Sequence, residues 1–283
     1  MIKSQSEWRA AADFERGAIS APPSDILLEK PGYRVRLAIN ERDRHRAFAL
    51  RARCFGLSRQ DQDRFDATGL LVLVERLANP EAEGGRLVGC FRLRDLSADQ
   101  ALTASYCGQF YDLSNLQSYP GRIAELGRLC IAPSALDANV ARLAWGALAR
   151  LITAMRITMV IGCSSFAGTD PDPYLEAIAL LNQNHLLADN RRPGPLAQEQ
   201  IGFKKLLVGR TLSGAQDSTE GLRQMPSLLR SYLAMGGRVG DHLVIDRQLS
   251  TLHVFTALEI DMIPQNRQAA LRGLMGAGPD AGG

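Results

Sequence analysis

The chain has 283 residues, 46% of them hydrophobic and 22% charged, with a formal net charge of +3. Such a length suits one core with an added subdomain, and such a balance excludes a disordered or fibrous chain. No run reaches the roughly 18 apolar residues of a spanning helix, and the opening Met1-Ile2-Lys3-Ser4-Gln5-Ser6-Glu7 lacks the apolar core of a secretory signal, so a cytoplasmic location is expected.

Residues 1–30, with Ala21-Pro22-Pro23-Ser24, are expected to be a flexible N-terminal segment. Tyr33 to Ala38 alternates apolar and polar residues and predicts a strand. Helical spacing follows from Asp43 to Cys54, then a wholly apolar β run at Leu70–Val74 and another at Arg86–Arg92, joined through Asn79-Pro80 and Gly84-Gly85 as a hairpin. A long loop over Tyr106–Pro120 leads to a strand at Ile123–Ile131 that Pro133 ends. Asn139–Met155 carries an apolar helical stripe, Thr158–Cys163 reads as a buried strand, and Pro173–Leu186 as a helix with proline near its start. Further on, Gln224–Met235 predicts an amphipathic helix, and Gly237–Asp246 and Thr251–Leu258 predict strands that extend the sheet. The Pro-, Gly- and base-rich segment Asp189–Asp217 is expected to be an insertion or flap, and 266–283 a flexible tail.

This order describes an α/β (α+β) chain with a mixed, mostly antiparallel central sheet flanked by helices and a parallel pair near its end. It is similar to the GNAT acyltransferase arrangement, with a core over 31–188 and a C-terminal extension over 189–265 that completes the sheet and the acceptor side.

Five cysteines (Cys54, Cys90, Cys107, Cys130, Cys163) are odd in number and contain no CxxC pair, which argues against a disulfide framework and a zinc site. Nine arginines lie between Arg34 and Arg64 against Glu41, Asp43, Asp61 and Asp63. That run suits an acidic partner such as a carrier protein, a phosphate-bearing arm or an anionic membrane, or else a solvated helix face. Few aromatics interleave with it, so nucleic acid is not expected.

Acyl transfer to an amine needs a base, a donor for the developing oxyanion and a groove for the acyl arm. Glu125-Leu-Gly-Arg128 places a carboxylate on a strand. Its function is weighed above the plainer ion pair with an arginine such as Arg92. Asp63 and Asp66, three apart, suit a cationic acceptor if they share a helical face, although capping is the simpler explanation of Asp66. Gly162-Cys163-Ser164-Ser165-Phe166-Ala167-Gly168-Thr169-Asp170 is read as a turn whose amides cradle a phosphate or oxyanion. A covalent role for Cys163, Ser164 or Ser165 is set aside, because none of His45, His185, His242 and His253 sits in a recognisable partner motif.

Phe65-Asp66 with Leu70-Leu71-Val72, Val88-Gly89-Cys90-Phe91-Arg92-Leu93, Glu125-Leu126-Gly127-Arg128, the Gly162–Pro171 stretch, and Tyr232 through Val239-Gly240-Asp241 to Asp246 together resemble the ornithine N-alpha-acyltransferase family, over about Tyr33–Pro264. The resemblance implies transfer of a 3-hydroxyacyl chain from acyl carrier protein to the α-amine of ornithine or a related amino acid, giving a lyso-aminolipid. More distantly the chain is similar to acyl-homoserine lactone synthases, whose pattern falls here on Arg51 and Phe55, Asp63 and Asp66, Arg92, and Glu125 and Arg128. That resemblance implies Glu125 as the base, Asp63 and Asp66 orienting the amine, and Arg92 and Arg128 organising the site. Arg51, Phe55, Cys163, Ser164, Ser165, Phe166, Gly168, Thr169 and Asp170 are the expected substrate-binding residues. No cofactor or metal is expected, the donor being a phosphopantetheine thioester. The turn Pro133–Asn139 has no glycine and no basic residue with which to hold the pyrophosphate of coenzyme A. The rivals are a homoserine lactone synthase and a non-catalytic acyl-binding module. A peripheral contact with the inner face of a membrane is weighed for the Met225, Leu228, Leu229, Tyr232, Leu233 face, against the preferred reading that it packs inward.

Overall fold

A computed structural model describes residues 25–79, 84–96, 102–135, 138–210 and 218–275. It divides into two compact units, one within 1–94, 126–157 and 265–283, the other within 95–125 and 158–264.

In the first unit, β1 (Ile26–Lys30) and β2 (Tyr33–Leu37) form a hairpin turned by Gly32 at φ 76°, a value glycine adopts without strain. Helix α1 (Glu41–Cys54) starts at Asn40, whose side chain accepts from the Asp43 amide. Strand β3 (Leu70–Arg76) pairs antiparallel with β2 and with β4 (Arg86–Asp95). Its apolar run is buried on both faces, as an inner strand requires. The Leu126–Ile131 part of β6 (Ile123–Ile131) follows β4 in the sheet order, and α2 (Ala138–Ala154) follows β6 in the chain. Helix α7 (Gln265–Met275) packs on α2. A Cβ at Gly146 of α2 would lie 3.0 Å from Leu28 and 3.2 Å from Leu274, so the close packing there depends on glycine.

In the second unit the sheet order is β6, β7, β11, β10, β9. Residues Ile123–Glu125 of β6 run parallel to β7 (Met159–Ala167), and β7 pairs antiparallel with β11 (Thr251–Glu259) without interruption from Thr251↔Ala167 to Glu259↔Met159. Strands β10 (Arg238–Asp246) and β9 (Gln200–Gly202) complete the edge. Alternation divides the side chains between two layers. Phe166, Leu252, Val254 and Leu243 pack under α3 (Leu175–Asn184), α4 (Phe203–Leu207) and α6 (Ser227–Ala234), the last preceded by α5 (Ser218–Gln224). Ile161, Phe255, Ala257 and Val244 pack against the segment 102–119, which contains β5 (Tyr111–Asp112), paired with β8 (Gly194–Pro195).

The mixed, mostly antiparallel sheet with flanking helices is therefore present, with β1 in addition. The segment 189–265 supplies β9, β10 and β11 to the sheet; β11 pairs along all of β7, and the Tyr232 hydroxyl donates to the Val160 carbonyl at 2.7 Å, so most of this segment shares a unit with 158–188. One expectation needs correction. The expected flexible ends contain ordered elements at Ile26–Lys30, where Leu27 and Leu28 are buried, and at Gln265–Met275, where Leu271 and Leu274 are half-buried; residues 1–24 and 276–283 lie outside the described residues. The Asn79–Gly85 turn is described only in part. The preferred reading of the Met225–Leu233 face stands: Met225, Leu229, Tyr232 and Leu233 are buried and Leu228 is half-buried, so it packs inward.

Candidate active site

The expected site residues fall into two groups. The first is an arginine–aspartate network in the first unit. Asp63 caps the 3-10 turn Arg64–Ala67, accepting from the Phe65 amide at 2.9 Å, while Asp66 accepts from the Asp63 amide at 2.9 Å. Arg51, fully buried on α1, reaches Asp61 through Nε at 2.7 Å and grips Asp66 with both Nη atoms at 2.7 and 3.1 Å. Arg92 reaches Asp63 at 2.5 Å and Asp66 at 2.8 Å. Arg128 pairs with Asp61 at 3.0 Å and Asp63 at 3.2 Å.

Arg128 occupies the left-handed region at φ 55°, a strain of roughly 1–2 kcal/mol for a residue with a Cβ. That turn within β6 lets its guanidinium reach the two aspartates and lie 5.9 Å from the Phe55 ring. Gly69 admits Arg92: a Cβ there would stand 2.6 Å from the arginine's Cγ.

Three guanidinium groups and three carboxylates thus pair with one another largely out of water, where an unpaired charge would be unstable. Burial alone would raise the Asp66 carboxyl, but Arg51, first through hydrogen bonds and then through charge, and the Arg92 charge hold it below its ordinary value. The expectation that Asp66 grips a cationic acceptor is corrected, since its oxygens already take Arg51, Arg92 and the Asp63 amide. Arg51 has no exposed surface with which to touch a substrate. Asp63 and Arg128 retain some exposure.

The second group lies in the second unit. Glu125 is buried, and its oxygens accept the amides of Tyr106 at 3.1 Å and Cys107 at 2.8 Å. It orders the start of the covering segment. Arg92, considered as its partner, goes to Asp63 and Asp66 instead. Beyond it on the same face lie Cys163 and Ser165 of β7, opposite Phe255 and His253 of β11. The Cys163 sulfur is 3.6 Å from that of Cys107.

His253 is 1% exposed. The Tyr111 hydroxyl donates to the His253 carbonyl at 3.0 Å and lies 2.9 Å from Nδ1. A hydroxyl has one proton, so toward Nδ1 the oxygen is the acceptor. With the hydroxyl proton on the carbonyl, Nδ1 carries the imidazole proton and Nε2 the lone pair. Among the described residues Nε2 has no hydrogen-bond partner.

The Gly162–Asp170 stretch is not a turn throughout: through Ala167 it is strand, its amides alternating between the edge paired with β11 and the edge toward β6, where pairing is recorded only as far as Ile161. Only from Gly168, at φ 78°, does it turn; Asp170 there accepts the Asp172 amide. Phe166 is core, 4.9 Å from the Tyr174 ring, and Ser164 faces the same side. Ser165 and Gly168 are exposed and Thr169 is half-buried. The Pro133–Asn139 turn is a 3-10 turn over Pro133–Ala135 and is only partly described. Of the nine arginines of the basic run, Arg42, Arg53, Arg59 and Arg64 are exposed, while Arg36 and Arg46 share the buried Glu75.

Sequence reasoning passed over His253, Tyr111, Tyr106 and Cys107. The only signal for His253 was its place in an alternating strand, which says nothing of the strand it faces.

The acetyltransferase (GNAT) domain family matches residues 44–146. The L-ornithine N(alpha)-acyltransferase of Rhodobacter capsulatus is 31% identical over 78% of this chain and 83% of its own length. That of Brucella abortus is 30% identical over 73% of each. Among solved structures, FeeM, an N-acyl amino acid synthase from uncultured soil microbes, superposes with a TM-score of 0.46 at 11% identity, over 82% of this chain and 93% of that one. The fold is GNAT-like and the chain is an acyltransferase, a member of the L-ornithine N(alpha)-acyltransferase family.

Proposed function

We propose that the chain transfers a 3-hydroxyacyl group from acyl carrier protein to the α-amine of ornithine or a closely similar amino acid, giving a lyso-aminolipid. The observation that carries this reading is the 31% identity spanning 83% of the Rhodobacter capsulatus L-ornithine N(alpha)-acyltransferase. The reaction needs no cofactor beyond the phosphopantetheine arm of the donor, and the acceptor is the free amino acid.

The amine must lose a proton before or as it attacks the thioester. Each oxygen of Glu125 accepts one main-chain amide and keeps a second lone pair, whereas Nε2 of His253 has no hydrogen-bond partner among the described residues; we assign the proton to Nε2 of His253 and give Glu125 the part of holding the Tyr106–Cys107 turn. In the first unit, Arg51, Asp66 and Arg92 hold Asp63 and Arg128 in place. A cytoplasmic location, with peripheral contact at the inner face of a membrane, belongs to this reading through the chemistry of the product. No helix among the described residues is long and apolar enough to cross a membrane.

The test is to supply purified chain with 3-hydroxypalmitoyl-acyl carrier protein or the matching coenzyme A thioester, each with ornithine, glutamine or lysine, and to read products by mass spectrometry. N-acylornithine formed with the carrier protein donor is expected. Release of methylthioadenosine from added S-adenosylmethionine, or donor binding without any product, would overturn the reading.

A further inference from the structure

Two thiols meet where the segment 102–119 covers the sheet of the second unit. Cys163 belongs to β7 and Cys107 to the 3-10 turn Cys107–Gln109 of the covering segment, and their sulfurs stand 3.6 Å apart. Cys107 has no exposed surface, whereas Cys163 is half-buried. An oxidant of a few atoms needs no larger opening than that. A partly exposed thiol with a second, buried thiol in contact behind it is the arrangement of a redox-sensing cysteine and its resolving partner.

We propose that Cys107 and Cys163 form a reversible disulfide on exposure to a hydroperoxide, and that this bond pins the covering segment over His253 and halts acyl transfer until a dithiol reduces it. The crosslink itself is independent of the function proposed above, and its effect on turnover rests on the part given there to His253.

Beyond Cys107 the covering segment brings Phe110, whose ring lies 4.8 Å from that of His253, and Tyr111, whose hydroxyl holds the imidazole. His253 is 1% exposed, so an amine meets Nε2 only when this stretch shifts. Glu125 already ties down its start by accepting the Tyr106 and Cys107 amides. A covalent bond from Cys107 to β7 would remove the remaining freedom.

The state of the thiols agrees with this order of events, because the thiolate is the form that attacks a peroxide. Burial alone would raise Cys163, but the Cys107 thiol and then His253 bring it down to about 6, whereas Cys107 is pushed well up, chiefly by burial. Cys163 is therefore oxidised first and Cys107 resolves it. Cys90 and Cys130 of the first unit are also 3.6 Å apart, yet both are buried. The half-buried Cys54 is pushed up by its hydrogen bond to Cys130 and by burial. That cluster is the internal comparison, with the same spacing and no exposed thiolate.

The steps balance. The Cys163 sulfur attacks a peroxide oxygen, the oxygen–oxygen bond breaks, and Cys163 becomes a sulfenic acid while the rest of the hydroperoxide leaves as an alcohol, or as water from hydrogen peroxide. The Cys107 sulfur then attacks the Cys163 sulfur. The sulfur–sulfur bond forms, the sulfur–oxygen bond breaks, and water leaves with the Cys107 proton. The sulfurs close from 3.6 Å to the roughly 2 Å of a disulfide, and the turn that carries Cys107, which belongs to no strand ladder, supplies the movement. On reduction a dithiol returns both protons and electrons and leaves as its own disulfide.

The experiment treats the reduced whole chain with a small excess of hydrogen peroxide. Intact mass should fall by about 2 Da. After free thiols are blocked with iodoacetamide in urea, digestion without reductant should yield peptides joined through Cys107 and Cys163, with Cys90 and Cys130 recovered as blocked thiols. With 3-hydroxypalmitoyl-acyl carrier protein and ornithine, the oxidised chain should turn over at least about tenfold more slowly than the reduced chain and recover with dithiothreitol. Cys107→Ser, compared with its own reduced rate, should form no crosslink and should accumulate a sulfenic acid at Cys163 that dimedone traps. Absence of the crosslink from oxidised wild-type chain overturns the proposal, as does a complete crosslink that leaves the rate unchanged. If reduced wild-type chain makes no N-acylornithine with any donor, the reading beneath falls, while the joined peptides still decide the thiol pair. Should Cys107→Ser not fold, the wild-type crosslink and its reversal decide alone.

Discussion

The hydroxyl of Tyr111 touches His253 twice, 2.9 Å from Nδ1 and 3.0 Å from the carbonyl oxygen of the same residue. One side chain thereby sets both the tautomer and the orientation of a buried imidazole that lies 142 residues away in the chain. Tyr111→Phe keeps the ring packing against Phe255 but frees Nδ1. We expect kcat to fall about tenfold or more with little change in KM, and the acid limb of its pH profile to shift. A merely structural role would lower thermal stability and leave that profile in place.

Cys163 should alkylate as a thiolate. Its group sits near about 6, with Cys107, His253 and Glu125 acting on it. The rate of iodoacetamide labelling should therefore rise with pH up to about 6 and then level, as the thiolate fraction saturates. Labelling that keeps climbing to pH 9 at Cys163, resolved by peptide mass, would contradict this.

Glu125→Gln places an amide NH2 where two backbone N–H groups converge, so one donor must face another. A loss of about 1–3 kcal/mol in urea unfolding is expected, with activity falling as the Tyr106–Cys107 turn loosens. Unchanged stability with abolished activity would instead restore Glu125 as the proton acceptor.

The buried network predicts an asymmetric response. Arg51→Ala leaves Asp61 and Asp66 without their main partner and should destabilise by about 3–5 kcal/mol in chemical denaturation. The carboxyls of Asp66 and Asp43, both held below their ordinary 3.8, contribute stability above that value and lose it as pH falls further. An acid-unfolding midpoint that Asp66→Asn leaves unmoved would count against this.

Gly69→Ala should displace Arg92, since the new methyl would overlap its side chain at Cγ and Cδ. We expect about 1–3 kcal/mol of destabilisation and weaker turnover. Combined with Arg92→Ala, which removes both atoms, Gly69→Ala should cost little more, and two costs that simply add would place the clash elsewhere.

Local patterning was enough for the elements. The apolar run at Leu70–Val74, the stripe of α2 and the alternation of β10 and β11 report burial through a residue's near neighbours, and these elements stand within a residue or two of where the periodicity put them, with β3 and β4 running two and three residues further. The family resemblance was legible for the same reason, in short motifs that survive as strings. Asp63, Asp66, Arg92 and Arg128 were singled out together, and they do converge.

Their chemistry was not legible, because spacing cannot say whether a carboxylate meets a substrate or a guanidinium. Three arginines from α1, β4 and β6 close on Asp61, Asp63 and Asp66 only once the sheet is assembled. In the same way, whether Gly162–Asp170 is a turn or a strand depended on β11 arriving beside it, and whether His253 shares a face with Cys163 depended on the register between the two strands. Contacts between residues far apart in the chain are decided by strand pairing and by which face each side chain takes. That information enters with tertiary structure, since a shift of one residue in register would turn His253 to the other side of the sheet.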